Sequence, residues 1–413
     1  MQQSGDSLKQ LFQQEFAKMV AVISKLYGLE HIETAEDIVS DTFLTASESW
    51  GMKGMPANPT AWLYAVAKQK TLYHFRRKKL YDQKVMPVIR NAQPEMDTTE
   101  PDFSPQHIRD SQLQMLFAIC NPAIAAEAQI GLALRILCGF GIDEIAEAFF
   151  SNKETINKRL FRAKEKLREE KISLEFPPDA DLPARLENVL RIIYLLFNEG
   201  YYSKTQNRVL QQELCVEAIR LCLMLTEYEK TNRAETNALL ALMCFHASRF
   251  EARITPDDEL ILYEQQDESK WDQGLIRQGI HFLELSARGD RISTWHIEAR
   301  IASWHCIKED SPQKWQQILQ LYDQLLEINF SPGVALNRIY ALYKAKGREE
   351  AIKAAQELDL TQHHFYWLLL GELQSGIDNE QAQLYFKKAL ALAKTIPEQQ
   401  GIKEKIRKLS ELH

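Results

Sequence analysis

Residues 155–170 read TINKRLFRAKEKLREE. Ile156, Leu160, Ala163 and Leu167 recur at spacings of three and four, which places them on one face of a helix. Thr155, Lys158, Arg159 and Arg162 fall on the opposite face. Six cations, Lys158, Arg159, Arg162, Lys164, Lys166 and Arg168, crowd this segment of a chain whose formal net charge is −7. Just upstream, GIDEIAEAFF at 141–150 predicts a short helix with Ile142, Ile145, Ala146 and Phe149 as its apolar stripe, and SNKE joins the two. A short helix, a tight turn and a longer basic helix form the layout of a helix-turn-helix. The N-terminal half of the second helix is then expected in a major groove. Arg159 and Arg162 would donate to guanine edges or phosphates, and Thr155 would cap the turn or touch a phosphate. A merely solvated face explains Glu165, Glu169 and Glu170, but explains poorly the acid-free run from Asn157 to Lys164.

Working outward, almost every segment shows the 3.6-residue period and none alternates as strands do, so the chain is predicted to be all-α. Two stretches interrupt the pattern. DQKVMPVIRNAQPEMDTTEPDFSPQ, 82–106, is proline-containing, polar and poor in aromatics, and is expected to be a flexible linker. LEFPPDADLP, 174–183, is a shorter Pro/Asp punctuation. Three blocks follow: 1–81, 107–173 and 180–413. In the last, Trp367, Leu370 and Gly371, then Ala382, Phe386 and Ala389, with Pro397 beyond, have spacings that resemble the tetratricopeptide helix pair.

Composition narrows the function. Hydrophobic residues make up 45% and charged residues 26%, a soluble globular balance. No apolar run approaches the ~18 residues of a membrane span, and MQQSGDSLKQ at the start lacks the charged and apolar segments of a signal peptide. The six cysteines are scattered without a CxxC pair or histidines at zinc spacing, so buried free thiols in a reducing, cytoplasmic setting are expected, with no metal. His296, Glu298 and His305 do not form the HExxH pattern, and His363 and His364 lack nearby carboxylates. FNEG at 197–200 is predicted to be a helix end closed by Gly200. Neither a phosphate loop nor a nucleophile motif occurs, so neither catalysis nor a cofactor is expected.

The first block carries two further candidates. In IETAEDIVSDTFLTASESW, 32–50, Ala35, Ile38, Val39, Phe43 and Ala46 point inward, and Glu33, Asp37, Asp41 and Glu48 lie on the other side. That acidic stripe either meets a basic partner or is simply solvated. In NPTAWLYAVAKQKTLYHFRRKK, 58–79, Asn58 and Pro59 open a helix. Lys68, Lys70, Arg76, Arg77, Lys78 and Lys79 alternate there with Tyr64, Tyr73, His74 and Phe75, while Trp62 is assigned to the core. Cations grip phosphates and aromatic faces hold unstacked bases, which suits partly single-stranded DNA.

Together these stretches resemble a bacterial RNA polymerase sigma factor of the extracytoplasmic-function type. AEDIVSDTFLTA is similar to the region 2 segment that docks on the polymerase clamp helices, which implies core binding by Glu33, Asp37, Asp41 and Glu48. NPTAWLYAVAKQKTLYHFRRKK is similar to the minus-10 segment, which implies DNA contacts from Asn58, Lys68, Lys70, Tyr73, Arg76 and Arg77. TINKRLFRAKEKL resembles the wingless region 4 recognition helix, usually T-V-K-S-R-L-x-R-A-R, and implies minus-35 contacts from Thr155, Lys158, Arg159, Arg162 and Lys164. Asn157 and Lys158 replace the usual Lys and Ser. VLRIIYLLFNEGYY, ELCVEAIRLCLML, YEQQDESKWDQGLIRQG and SPGVALNRIYAL resemble the subgroup with an appended tetratricopeptide-like C-terminal domain. The partners so implied are core RNA polymerase, promoter DNA and a protein or peptide held by that regulatory domain, with no membrane. Two other classes remain open: a helix-turn-helix regulator that binds duplex DNA without core polymerase, and a helical scaffold whose basic helices are only surface.

Overall fold

Every regular element among the described residues is helical, as the 3.6-residue period requires. The computed structural model describes residues 2–85, 100–149, 151–201, 208–253, 261, 263–289, 291–393 and 396–410. They divide into two compact units, Met1–Asn232 and Arg233–His413.

Unit 1 is built on α1 (Gln2–Tyr27), whose Phe16, Met19, Val20 and Ile23 are fully buried. It packs against α2 (Ile32–Lys53) and α4 (Pro105–Ile119). The five inward residues expected on α2 are all buried. A short connection through Gly54 turns the chain into α3 (Pro59–Val85). Trp50 meets the half-buried Trp62 edge-on at 5.3 Å, and Asp41 meets Lys70, so α2 and α3 run antiparallel. Residues 86–99 of the expected linker lie outside the described residues. Its end is engaged: Phe103 stacks on Tyr64 at 4.8 Å and Glu100 pairs with Lys68. Then come α5 (Ala126–Leu132), a π-helical turn at Ala133–Leu137, α6 (Ile142–Ala148) and α7 (Lys153–Glu169).

The unit boundary lies further on than the Pro/Asp punctuation at 174–183 led us to expect. That stretch is stapled to unit 1: Lys25 donates to the Leu174 carbonyl, and the Phe176 ring lies 5.1 Å from Phe117 and 5.0 Å from Tyr228. The hairpin of α8 (Leu182–Tyr201) and α9 (Arg208–Thr226) continues the unit. Asn188 donates to the Cys120 carbonyl at 2.8 Å, and Arg220 to that of Leu137 at 2.7 Å. Gly200 does not close a helix. It lies within α8, and a Cβ there would sit 2.5 Å from the Gln211 carbonyl oxygen. The glycine permits close approach of α9, a tertiary demand that looks like a C-cap in one dimension.

Unit 2 runs through α10 (Ala234–Ala247), α11 (Gln273–Ser286), α12 (Thr294–Trp304), α13 (Pro312–Ile328), α14 (Pro332–Lys346), α15 (Arg348–Gln356), α16 (His364–Gln374), α17 (Asn379–Leu392) and α18 (Ile396–Ser410). Successive helices pack as hairpins. Side chains of Asp272, Ser311, Ser331 and Asp378 accept backbone N–H groups at the starts of α11, α13, α14 and α17, satisfying donors that a helix start leaves open. Gly371 of α16 faces the buried Phe386 of α17, and a Cβ there would lie 2.4 Å from the ring.

Gly371→Ala gains up to ~1 kcal/mol of helix propensity, but the overpacking against Phe386 costs ~1–3 kcal/mol. We expect a net loss in chemical denaturation of the full chain. Gly401→Ala on α18, where a Cβ meets nothing within 4 Å, is expected to move the other way. A gain at both positions would refute the close-approach role of Gly371.

Candidate polymerase and nucleic-acid interfaces

The α7 helix presents the two faces expected of it. Ile156, Leu160, Ala163 and Leu167 are buried, while Thr155, Lys158 and Arg162 are exposed and Arg159 is half-buried. Asn152, which the sequence reading did not single out, caps the helix: its side chain accepts the Thr155 N–H at 2.8 Å. Arg159 lies 5.6 Å from the Phe149 ring, so the turn before α7 orients it. Lys158 pairs with Glu154 at 2.6 Å in full solvent, a contact worth little. Thr155, Lys158, Arg159, Arg162 and Lys166 line one wall of an open cleft of about 560 Å³, and Ala123, Ile124, Ala125 and Ala128 line the other. Four cations therefore face a shallow, uncharged wall. The exposed Phe161 lies beside them.

Lys164 departs from the expectation. Its side chain is only 12% exposed, and its ammonium pairs with Glu36. Glu36 is itself 7% exposed and also accepts from Arg135 Nε at 3.0 Å. Arg135 sits on the π-helical turn and donates in addition to the Phe140 carbonyl at 3.1 Å. One buried carboxylate thus ties α2, the π-turn and α7 together. Around it, Arg168 approaches Glu33 at 3.6 Å and the Glu30 carbonyl at 3.4 Å. Lys164 is held away from the exposed basic face of α7 because the buried Glu36 requires a counter-charge. A signal existed in the sequence: Glu36 occupies the apolar stripe of α2, beside Ala35 and Val39, where a solvated acid has no place.

On the outer side of α2, Asp37, Asp41 and Glu48 are exposed and Glu33 is half-buried. Leu44, 57% exposed, and Met52, 81% exposed, lie on the same face, so the surface is acidic with apolar knobs. Charge patterning drew attention to the acids, and the exposed apolar residues were missed. Asp41 and Lys70, assigned to different partners from sequence, meet each other. Lys70 pairs with the Asp41 carboxylate and donates to the Asp41 carbonyl at 3.0 Å and to Thr45 Oγ1 at 2.7 Å. The antiparallel α2–α3 hairpin brings them face to face.

On α3 the candidate DNA residues separate. Tyr73, His74, Arg76 and Arg77 are exposed. Asn58 is used structurally, its Oδ1 accepting the Ala61 N–H at 3.0 Å. Phe75 is buried and stacked on Tyr27. Tyr64 donates to Glu15; burial and that carboxylate push its phenol above the usual range. The side chains of Lys78 and Lys79 lie outside the described residues. The exposed group that remains is Tyr73 with Arg76 and Arg77, while Lys68 is half-buried and paired with Glu100.

Removing the Glu36 carboxylate leaves two poorly solvated cations without their counter-charge. Glu36→Ala is therefore expected to cost about 3–5 kcal/mol of unit 1 stability. Asp37→Ala, one position along on the solvent side, should stay within about 0.5 kcal/mol of native. Chemical denaturation of the two variants checks this; equal midpoints would show that the buried cluster contributes nothing.

Residues 11–81, covering most of α1 and all of α2 and the described core of α3, match Sigma-70 region 2. Residues 185–287 match a family of unknown function, DUF6596. An uncharacterized protein of Rhizobium meliloti (strain 1021) is 31% identical over 385 residues, spanning 91% of this chain and 90% of the relative. No solved structure matches the chain. Region 2 implies core RNA polymerase and promoter DNA as partners. The chain belongs to one family with the Rhizobium relative, and the Sigma-70 region 2 at its N-terminus supports a sigma-factor role in transcription initiation.

Proposed function

We propose that this factor is of the extracytoplasmic-function type. In this reading it docks on core polymerase through the outer face of α2, holds the minus-10 element with Tyr73, Arg76, Arg77 and Lys68, and reads the minus-35 element with Thr155, Lys158, Arg159 and Arg162. The observation that carries it is the region 2 match over residues 11–81. What supports the residue assignment is that the matched segment presents an exposed acidic and apolar face next to an exposed basic and aromatic one. The helix-turn-helix of α6 and α7 supplies the other DNA contact. A regulator that binds duplex DNA alone has no use for Leu44 and Met52 held out in water among acids.

The described form of unit 1 is, in this reading, a resting one. A compact unit of about 230 residues has a radius of gyration of ~17 Å. Elements centred near minus 10 and minus 35 lie about 25 base pairs apart, roughly 85 Å at ~3.4 Å per pair. With α7 tied to α2 through Glu36, α3 and α7 do not span that distance. Simultaneous engagement requires α7, together with the α4 that packs on α1, to leave the α1–α2 pair.

The second unit, which we take as tetratricopeptide-like, is read as regulatory. Its hairpins suit stacking into a surface for a peptide or protein. The cut that isolates it falls after Asn232, since α8 and α9 belong to unit 1.

Three outcomes are expected. Asp37→Arg with Glu48→Arg weakens association in a core-polymerase titration without lowering the melting temperature, and unchanged affinity would refute docking by α2. Arg159→Ala or Arg162→Ala costs ~1–3 kcal/mol at a promoter where the residue is bidentate to guanine; a contact to phosphate alone instead weakens all sequences alike. Normal run-off transcription by the double variant would overturn both versions. Truncation after Asn232 changes run-off transcription and leaves core binding intact; a truncated chain matching full length in both assays would remove the regulatory role.

A further inference from the structure

The segment YEQQDESKWDQG, 263–274, finds no use in promoter binding, yet it builds an unusual centre in unit 2. Asp267 accepts the Ser269 N–H at 3.0 Å and Asp272 accepts the Leu275 N–H at 3.0 Å. These two turns direct Gln266 and Trp271 inward, where both are buried. The Tyr263 ring stands at the centre. Arg249 lies 5.7 Å from its centroid, Lys308 5.4 Å and Lys314 5.2 Å. Trp271 stacks at 6.3 Å and His305 meets the ring edge-on at 5.1 Å.

The charges here do not balance. Arg249 is 8% exposed and Lys314 2%. Among the described residues no carboxylate forms an ion pair with either. Asp310, the nearby acid, is shared between Lys344 at 2.7 Å and the Trp315 indole N–H. The lysines satisfy loop carbonyls: Lys308 donates to those of Tyr263 and Gln266 at 3.1 and 2.8 Å, and Lys314 to that of Ile307 and to the Tyr263 hydroxyl. A purely structural role therefore accounts for the ammonium groups. It does not account for Arg249, whose buried Nε has no hydrogen-bond partner. Trp271 Nε1 and His305 Nδ1, whose rings flank Tyr263, and Oε1 of Gln266, whose backbone N–H donates to the Tyr263 carbonyl, are likewise buried without a partner. The field is felt by the neighbours: burial, then Arg249 and Lys314, hold the His305 imidazole down at about 3. A buried cation without a counter-charge costs several kcal/mol, and the guanidinium fork suits an oxyanion.

We propose that unit 2 holds an oxyanion site centred on Arg249, with Lys314, Trp271 Nε1 and Gln266 Oε1 around it, and that its ligand is a phosphate group. The unpaired Arg249 guanidinium, in the field of the already hydrogen-bonded Lys314 ammonium, matches a doubly charged phosphate better than a singly charged carboxylate. A hydrogen phosphate accepts from Arg249 and Trp271 and donates its own proton to Gln266, using donors and acceptor together. The source is orthophosphate or a small phosphate monoester. Arg249, Tyr263, Gln266 and Trp271 all lie in the segment matching the family of unknown function. The site does not depend on how the factor engages polymerase.

Full-length protein is titrated at constant ionic strength with inorganic phosphate, glycerol 3-phosphate and acetate, following tryptophan fluorescence, since Trp271 and Trp315 flank the site. The expected result is a saturable change with at least one phosphate compound, tighter by tenfold or more than acetate; whichever phosphate binds more tightly identifies the source. Arg249→Met should weaken that binding at least tenfold. It should also raise the melting temperature in phosphate-free buffer, because an uncompensated buried charge is gone. Absence of a saturable response overturns the proposal. So does equal affinity in native and variant chains, which means an adventitious ion only, and so does acetate binding as tightly as phosphate. An Arg249→Met chain that melts lower in phosphate-free buffer, or fails to fold, overturns it too, since Arg249 is then a structural residue.

Discussion

The Glu36 carboxylate sits where three elements of unit 1 converge, and the arrangement of the others follows from it. Removing a carboxylate from water is unfavourable by several kcal/mol unless cations replace the lost hydration. Arg135 and Lys164 do so from two different elements. Arg135 is presented by a π-helical turn, an uncommon geometry that often marks functional positions. Because α7 supplies the second cation, the helix that carries the exposed basic residues is fixed to the helix that carries the acidic outer face. The tie involves the C-terminal half of α7, so Thr155, Lys158, Arg159 and Arg162 stay open to solvent while Lys164 and Arg168 are engaged.

Such a contact is strong yet conditional. Its Coulomb energy depends on exclusion of water, so a small separation of α7 from α2 admits solvent and weakens the attraction steeply. Packing of apolar surface, by contrast, is lost in proportion to the area exposed. The buried ion triad therefore adds, to the apolar packing of α1 on α4, a contact that tends to be either made or lost, with little between.

Much of this was legible in the chain, for a physical reason. Helix periodicity is local, so the stripes Ile156, Leu160, Ala163, Leu167 and Ala35, Ile38, Val39, Phe43, Ala46 could be read from spacing alone, and all nine are buried. The pairs Asp41–Lys70 and Glu36–Lys164 were not legible. They join residues 29 and 128 positions apart, and no period connects a charge on one helix to a charge on another. The unit boundary failed for a related reason. Pro177 and Pro178 break a helix, but Phe176 beside them fills a gap between Phe117 and Tyr228, so the break lies inside a packed unit. The division after Asn232 falls in the polar segment EKTNRA, which carries no proline or glycine to announce it.

The two units treat buried charge differently, and the contrast bears on what each does. In unit 1 one acid meets two cations that lie on separate segments, so the excess positive charge sits at a junction that can open to water. In unit 2 Arg249 and Lys314 converge on one aromatic ring inside a set of packed hairpins, and among the described residues neither forms an ion pair with an acid, the nearby Asp310 being paired with Lys344. A protein of net charge −7 has ample carboxylates to place there. Separation of charge that is held in by packing is stable only if something outside the described fold supplies the missing sign or if the stacking on Tyr263 offsets the desolvation. Cation–π contacts contribute about 2 kcal/mol or more each when desolvated, against the several kcal/mol that burial of a guanidinium costs, so the Tyr263 ring offsets part of that cost and a bound anion would offset the rest.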